Sequence, residues 1–425
     1  MKKIIVAHPG QQHSYKIAEA LNDAGMLFKY ITTVYDKKNS GLMQLLKRFL
    51  KKSEVQRANG RKTEKLEDSQ VIQFCQLSGL LTLAVLRIDK TKGRVLYNRV
   101  NRWVSNSFGK KVARYAIKNN VDAVICYDAN ALACFSLLKK HAPDILRIMD
   151  NSAPNRYGLF LNYHELNEKY KIIDNQPDAF KKFLIDEKEA LYYKREAELA
   201  DKHIVASTFS KRMLTSIGIH KKNIEIVPYG FSGKKNDNNS GFVTRDKLRF
   251  LFVGEISAQK GIFNFLAAAQ CLKDQAEFHA VGGGIDNLKE EYQIMILESI
   301  NYHGYMLKQD LFELYSDMDV FVFPTLGDGF GFVVLEALHF GLPVICSRNS
   351  VGEDIIKDAY NGFLFDAGDS DSLIVCMEHF INNRDEVKRM QVNASKSVKY
   401  YTWTAYSNKI AICVSGFLEG ENCVQ

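Results

Sequence analysis

Pro324-Thr-Leu-Gly-Asp-Gly-Phe-Gly-Phe-Val-Val-Leu-Glu-Ala-Leu-His-Phe-Gly-Leu-Pro-Val344 is the most informative stretch of this 425-residue chain. It follows an apolar strand, Val320–Phe323, and contains a glycine-rich turn that opens a helix. Phe330, Gly331, Phe332 and Val333 are expected to begin that helix, so their N–H groups lack partners within it. Such donors, backed by the helix dipole, can hold a diphosphate or sugar oxygens. Gly329 and Gly331 let the backbone approach a ligand closely. Glu336 falls one to two turns further along.

Working outward, short β-rich runs alternate with amphipathic stretches over most of the chain. Ile4–Ala7 reads as a strand, and the next segment sets Ile17, Ala20, Leu21 and Ala24 on one helical face. Val121–Tyr127, Ile145–Met149, His203–Ala206 and Ile224–Val227 read as further buried strands. Continuous apolar runs of this kind suit a parallel sheet covered on both faces. The polar, Gly/Asn-rich segment Ser232–Gly241 breaks the rhythm. It restarts with Arg249–Val253, Phe278–Val281, Val320–Phe323 and Pro343–Cys346. The expected organisation is a Rossmann-like domain over 1–231, a linker over 232–247, a second such domain over 248–400, and a final helix over 401–425. Two doubly wound units joined this way make an interdomain crevice, a common place for a ligand.

The 324–344 stretch resembles the donor-site motif of the retaining glycosyltransferase family 4, glycosyl transferases group 1. The resemblance implies the GT-B fold, an α/β arrangement of two Rossmann-like parallel-sheet domains facing a central cleft. The family's two acidic residues, separated by seven others, correspond to Asp328 and Glu336, with Asp328 standing where Glu is usual. The resemblance gives Glu336 the donor ribose hydroxyls and Asp328 the transferred sugar. Phe252-Val-Gly-Glu-Ile-Ser-Ala-Gln-Lys-Gly261 resembles a second family element, in which two cations face the diphosphate as its charge grows. Lys260 is present, while Glu255, after Gly254, occupies the usual Arg position. Gly304, Tyr305 and Met306 correspond to main chain that contacts the nucleobase. Gly283, in Val281-Gly-Gly-Gly284, is expected to line the cleft. Asp317 and Asp319 spell a DxD, but they close a helix before a strand and read as boundary chemistry rather than a metal site. Tyr401-Thr-Trp-Thr-Ala-Tyr406 resembles the start of the helix that crosses back onto the first domain.

The first domain is less specific. Gly10, Gln11, Gln12 and His13 follow the first strand, at the sheet's carboxyl edge where ligands bind. Gly10 reads equally well as a packing residue. Tyr127, Asp128, Asp150 and Asn151 end later strands on the same acceptor side. The expected activity is retaining transfer of a hexose from a nucleotide-diphosphate sugar, UDP- or GDP-linked, to a glycan or lipid-linked acceptor in cell-surface polysaccharide synthesis. The family resemblance implies no metal and no other cofactor. A GT-B nucleotide-sugar epimerase and a catalytically silent GT-B partner protein remain alternatives.

Charge is uneven. Residues 1–120 hold 24 Lys+Arg against 8 Asp+Glu, so they carry +16 in a chain of +8, leaving −8 for the rest. Such a field attracts anions. Gln44–Lys52 alternates apolar and basic residues at near-helical spacing, and Arg87–Lys111 is a second basic stretch. Both suit an anionic membrane surface. No zinc module or RNA-recognition motif is present, so nucleic acid is not an expected partner. Residues 69–86 carry no charge but include three Gln, and read as a docked helix rather than a span. The eight scattered cysteines read as reduced thiols of a cytoplasmic protein, peripheral on the inner face of the cell membrane if the basic stretches bind lipid.

Overall fold

The computed structural model describes residues 2–10, 13–37, 60–89, 95–180, 186–231, 233 and 245–420. Gln11, Gln12, the basic segment 44–52, Lys90, Lys92, Arg94 and most of the linker lie outside the described residues.

Seven strands form the first sheet: β1 Ile4–Ala7, β2 Leu27–Thr32, β3 Val71–Gln73, β4 Ala123–Tyr127, β5 Leu146–Asn151, β6 Lys202–Val205 and β7 Ile224–Ile226. Their order is β3-β2-β1-β4-β5-β6-β7, and every described pairing is parallel. Six more form the second: β8 Leu248–Val253, β9 Ala276–Val281, β10 Asn301–Tyr302, β11 Val320–Phe323, β12 Val344–Ser347 and β13 Gly362–Phe365. Their order is β10-β9-β8-β11-β12-β13, again parallel. Each order reverses beside the domain's first strand, the switch point at which such sheets bind ligands.

Alternation along each strand explains the layering. Ile4, Val6, Ala123 and Ile125 face one core, while Ile5, Ala7, Val124 and Cys126 face another. In the second sheet Phe250, Phe252, Val320 and Val322 fill a separate core. Leu251, Val253, Phe321 and Phe323 instead join the cluster that contains Ile4 and Val6, so one apolar body runs through both domains. The helix Trp403–Glu419 packs along Ser14–Asp23.

Several boundaries differ from the sequence reading. Ala24 lies past the end of its helix and is exposed. The uncharged segment 69–86 splits into β3 and a helix, Gln76–Ile88. Among the described residues no helix is long and apolar enough to cross a membrane. Seven of the cysteines are described, and none of these seven forms a disulfide.

Candidate functional site

Three loops at the carboxyl ends of β8, β9 and β10 converge beside the 324–344 stretch. Gly254 N–H donates to Val281 O at 3.0 Å, and Gly282 N–H donates to Gly304 O at 2.9 Å. The Tyr302 hydroxyl donates to Gly282 O at 2.7 Å. Gly282 has φ +150° and Gly304 φ +70°, conformations that favour glycine. Gly283 faces open space. Tyr305 is 80% exposed and Met306 half-buried.

The structure corrects the start of the helix that follows the glycine-rich turn. It runs Phe332–His339, with Gly331 as N-cap at φ +82°, so Phe330 precedes it. The Phe330 N–H is not open to a ligand, because it donates to Asp328 Oδ1 at 3.2 Å. The Phe330 ring is buried against Tyr229, and Phe332 stacks on Tyr229 from the helix's first position. Phe332 and Val333 remain at the helix start, where N–H groups have no intrahelical acceptor.

Lys260 ends a short turn, Ala258–Lys260, and its ammonium binds Asp328 Oδ2 across the loop. The pair is partly buried, the side chains being 26% and 18% exposed. Gly261 must follow Lys260 closely, since at φ +78° a Cβ there would meet Pro324 O at 1.8 Å. Glu336 is 9% exposed and lies 3.3 Å from the Lys308 ammonium. Burial raises the Glu336 carboxyl above its ordinary range, and Lys308 partly offsets this. A second cation and a second carboxylate therefore accompany the Lys260–Asp328 pair. Sequence reasoning missed Lys308, because its helix, Lys308–Ser316, carries no motif. Glu255 is exposed at the end of β8, where its Cγ stands 3.1 Å from a Cβ placed on Gly284. It thus borders the β9 loop.

On the first domain, His13 packs in an aromatic cluster with Tyr229, Phe332 and Trp403, its ring 5.6 Å from that of Phe332. Burial lowers its pKa, which favours the neutral ring. Gly10 N–H donates to His8 Nδ1 at 2.8 Å, and Gly10 O accepts from Thr32 at 3.1 Å, so Gly10 has a packing role. Asp128 Oδ1 accepts from the Ser152 N–H and hydroxyl, both at 2.8 Å. Burial raises the Asp128 pKa. Asn151 points into the sheet, its amide bonding Met149 O and Ile204 O at 3.1 Å each, so it is structural rather than acceptor-facing. Asp317 and Asp319 hold Arg245, Arg249 and the Arg249 N–H.

The two domains meet at the glycine-rich loop that precedes Phe332–His339. Gly329 O accepts from Ser207 Oγ at 2.6 Å and from Ser210 Oγ at 3.2 Å. A Cβ on Gly329 would lie 3.0 Å from Pro154 Cδ, in the turn that Asp128 holds through Ser152. Thr208 N–H donates to Asp354 Oδ2 at 2.9 Å, and Arg212 pairs with Glu353 at 2.6 Å. None of Ser207, Ser210, Thr208 or Arg212 stood out in the sequence; in the structure Ser207 also caps its own helix, Thr208–Ser216.

Two parallel sheets with these switch-point loops facing each other define a GT-B protein. Residues 234–397 match the model of the family described as Glycosyl transferases group 1. The matched residues lie in the second domain and include the whole 324–344 stretch. It is 25% identical over 279 residues to an uncharacterized 41.2 kDa protein in the cps region of Klebsiella pneumoniae, covering 61% of this chain and 76% of that one. It is 30% identical to the Escherichia coli UDP-Gal:alpha-D-GlcNAc-diphosphoundecaprenol alpha-1,3-galactosyltransferase, covering 31% of this chain and 35% of that one. This chain spans from 32% to 58% of the length of seven curated relatives besides the Klebsiella protein. Sucrose-phosphate synthase from Thermosynechococcus elongatus superposes with a TM-score of 0.61 at 17% identity, covering 99% of this chain and 100% of that one. Anabaena HepE in complex with UDP-glucose superposes at 0.56 and 14% identity, covering 98% and 100%.

Proposed function

We propose that the protein transfers a hexose, with retention at the anomeric carbon, from a nucleotide-diphosphate sugar to a glycan or lipid-linked acceptor in cell-surface polysaccharide synthesis. The Lys260–Asp328 pair beside the glycine-capped helix that carries Glu336 supports this reading most directly. The donor diphosphate would lie near the Lys260 ammonium and the Phe332 and Val333 N–H groups, which stabilise charge on the leaving phosphate. Glu336 would accept the ribose hydroxyls. Asp328 would hold the transferred sugar, and the leaving phosphate would take the acceptor's proton. The named activity of the Escherichia coli relative and the bound UDP-glucose of HepE favour a UDP-linked donor.

A thermal-shift screen against UDP-, GDP-, ADP- and dTDP-sugars tests donor binding, since a ligand of the folded state must raise the melting point. The anomeric configuration of the product then tests retention. Glu255, an acid at the mouth of the diphosphate site, favours a silent partner protein as the second reading. No shift with any of the four donors would support it. Turnover of a UDP-sugar without acceptor would instead point to an epimerase.

Asp328→Asn is expected to damage turnover more than nucleotide affinity, because Asn keeps the Oδ1 bond to Phe330 N–H but loses the charge. Asp328→Glu restores the usual family residue and should retain more activity. A variant Asp328→Asn that binds nucleotide poorly but turns over normally at saturation would refute the role.

The acceptor domain has a surface suited to anionic lipid. Leu77, Leu81 and Ile88 on one helix are 74%, 49% and 76% exposed. Leu96 and Trp103, on the helix Val95–Lys118 packed against it, are 54% and 58% exposed. Arg87, Arg99 and Arg102 share these helices. Apolar side chains among arginines can enter a headgroup layer, each charge adding about 1 kcal/mol. Sedimentation with anionic but not zwitterionic liposomes is expected, weakened by salt. Leu81→Ser with Trp103→Ser should release the protein while leaving donor binding intact. A wild type that ignores anionic liposomes at low salt makes a soluble acceptor the better reading.

A further inference from the structure

A buried polar group sits where both chain crossings between the domains meet the first sheet. Asp150, at the end of β5, is 2% exposed, and its Oδ2 has no hydrogen-bond partner. The hydroxyls of Tyr127, Tyr229 and Tyr406 are likewise buried and unpartnered. All three rings lie within electrostatic reach of the Asp150 carboxyl. The Tyr127 hydroxyl approaches that carboxyl without reaching hydrogen-bond geometry.

These groups come from separate segments. Tyr127 ends β4. Tyr229 lies on the first crossing, and Tyr406 belongs to the returning helix of the second. The crossings touch: Phe231 N–H donates to Tyr401 O at 2.8 Å, and a Cβ on Gly230 would lie 2.3 Å from Trp403 N. The Tyr229 and Tyr406 rings stand 5.7 Å apart, and Tyr229 also supports Phe330 and Phe332 of the donor loop.

Native interiors satisfy nearly all buried polar atoms, and three orphaned hydroxyls around one orphaned carboxyl oxygen call for a shared partner. Buried water fills that role where it finds two to four polar groups. We propose that Asp150, Tyr127, Tyr229 and Tyr406 enclose a buried water-binding site that fastens both interdomain crossings to the first sheet, with Asp150 as a positioning residue for cleft closure. The closure clause rests on the proposed transfer reaction, whereas the water site does not.

Asp150 acts in this site as a neutral acid, able to donate as well as accept. Burial, and then the charge of Asp128 beside it, push its carboxyl up to about 8. The other groups facing it are the three phenols, and the His8 ring packs edge-on against Tyr127 at 4.9 Å. The folded-state value lies above the unfolded one, about 3.9 for Asp. The folded protein therefore loses stability as pH rises from there to about 8, and the loss is complete above it. Asparagine cannot ionise and removes that slope.

Melting temperatures of wild type, Asp150→Asn, Tyr229→Phe and Tyr406→Phe between pH 6 and 9 test the site. The advantage of Asp150→Asn over wild type should grow up to pH 8 and then level off. Each Phe variant should melt about 2–4 °C lower, having lost one bond to the water. Phe variants that melt higher would show dry, unsatisfied hydroxyls and overturn the water site. Parallel curves for wild type and Asp150→Asn would overturn the neutral acid. Closure is read by small-angle scattering. The wild-type radius of gyration should increase above pH 8 while that of Asp150→Asn stays constant, and equal radii would remove the positioning role. Neither readout needs a donor, so failure of the transfer reading leaves both decisive.

Discussion

Lys260→Ala and Glu336→Ala should each lower turnover at least tenfold while leaving the protein folded. On the proposed reading each removes a charge-assisted bond to the donor, on the order of 1.5–3 kcal/mol, and tenfold corresponds to about 1.4 kcal/mol. The two variants should differ in stability. Lys260→Ala strands the Asp328 carboxylate, whose side chain is only 18% exposed, and a partly buried charge without its partner is unfavourable. Adding Asp328→Asn to Lys260→Ala should recover stability but not turnover. Glu336→Ala frees its surface lysine, Lys308, at little cost, since that side chain is 62% exposed and stays hydrated. Saturation kinetics and urea denaturation of the four proteins separate these effects. Near-wild-type kinetics in both single variants would refute the donor site.

The second domain was legible because its signals are local. Val320–Phe323 matches β11 end to end, and Asp328, Gly331 and Glu336 all fall on one strand–turn–helix unit. The helix start was misplaced by two residues at Phe330, because Asp328 folds back to take the Phe330 N–H. That local bond competes with helical geometry, as short acidic side chains do. β3, Val71–Gln73, escaped notice because three residues within an uncharged run give no periodicity to read. The interdomain contacts were invisible for a different reason. Ser207 and Gly329 are 122 residues apart, and a serine that caps its own helix looks complete without a distant carbonyl. Asn151 was placed on the acceptor side by its position at a strand end, where only the direction of its side chain could show that it bonds the sheet. Asp150, one residue earlier, points to the polar site beneath the crossings. Neighbouring residues of a strand face opposite ways, so sequence position alone could not rank the two.

Gly282→Ala and Gly283→Ala should behave very differently despite being adjacent. At Gly282 the backbone has φ +150°, and a Cβ would stand 1.7 Å from Gly254 O. That oxygen belongs to backbone, so relief requires moving the β8 loop rather than a side chain. The same residue ties three loops together, through Gly304 O and the Tyr302 hydroxyl. Gly282→Ala is therefore expected to cost on the order of 3–5 kcal/mol of stability, at the severe end for a single substitution. Displacing Gly254 and Gly304 together should also weaken donor binding at any temperature where the variant stays folded. Gly283 has nothing within 4 Å of an added Cβ and no left-handed φ, so Gly283→Ala should fold with wild-type stability. If the donor lies against this loop, the new methyl group projects into its space, and donor affinity falls without any change in melting point. Urea denaturation of both variants, followed by donor titration, checks the contrast. Equal stability losses at the two positions would mean that the loop is not held as described. Full donor affinity in Gly283→Ala would move the donor away from the end of β9.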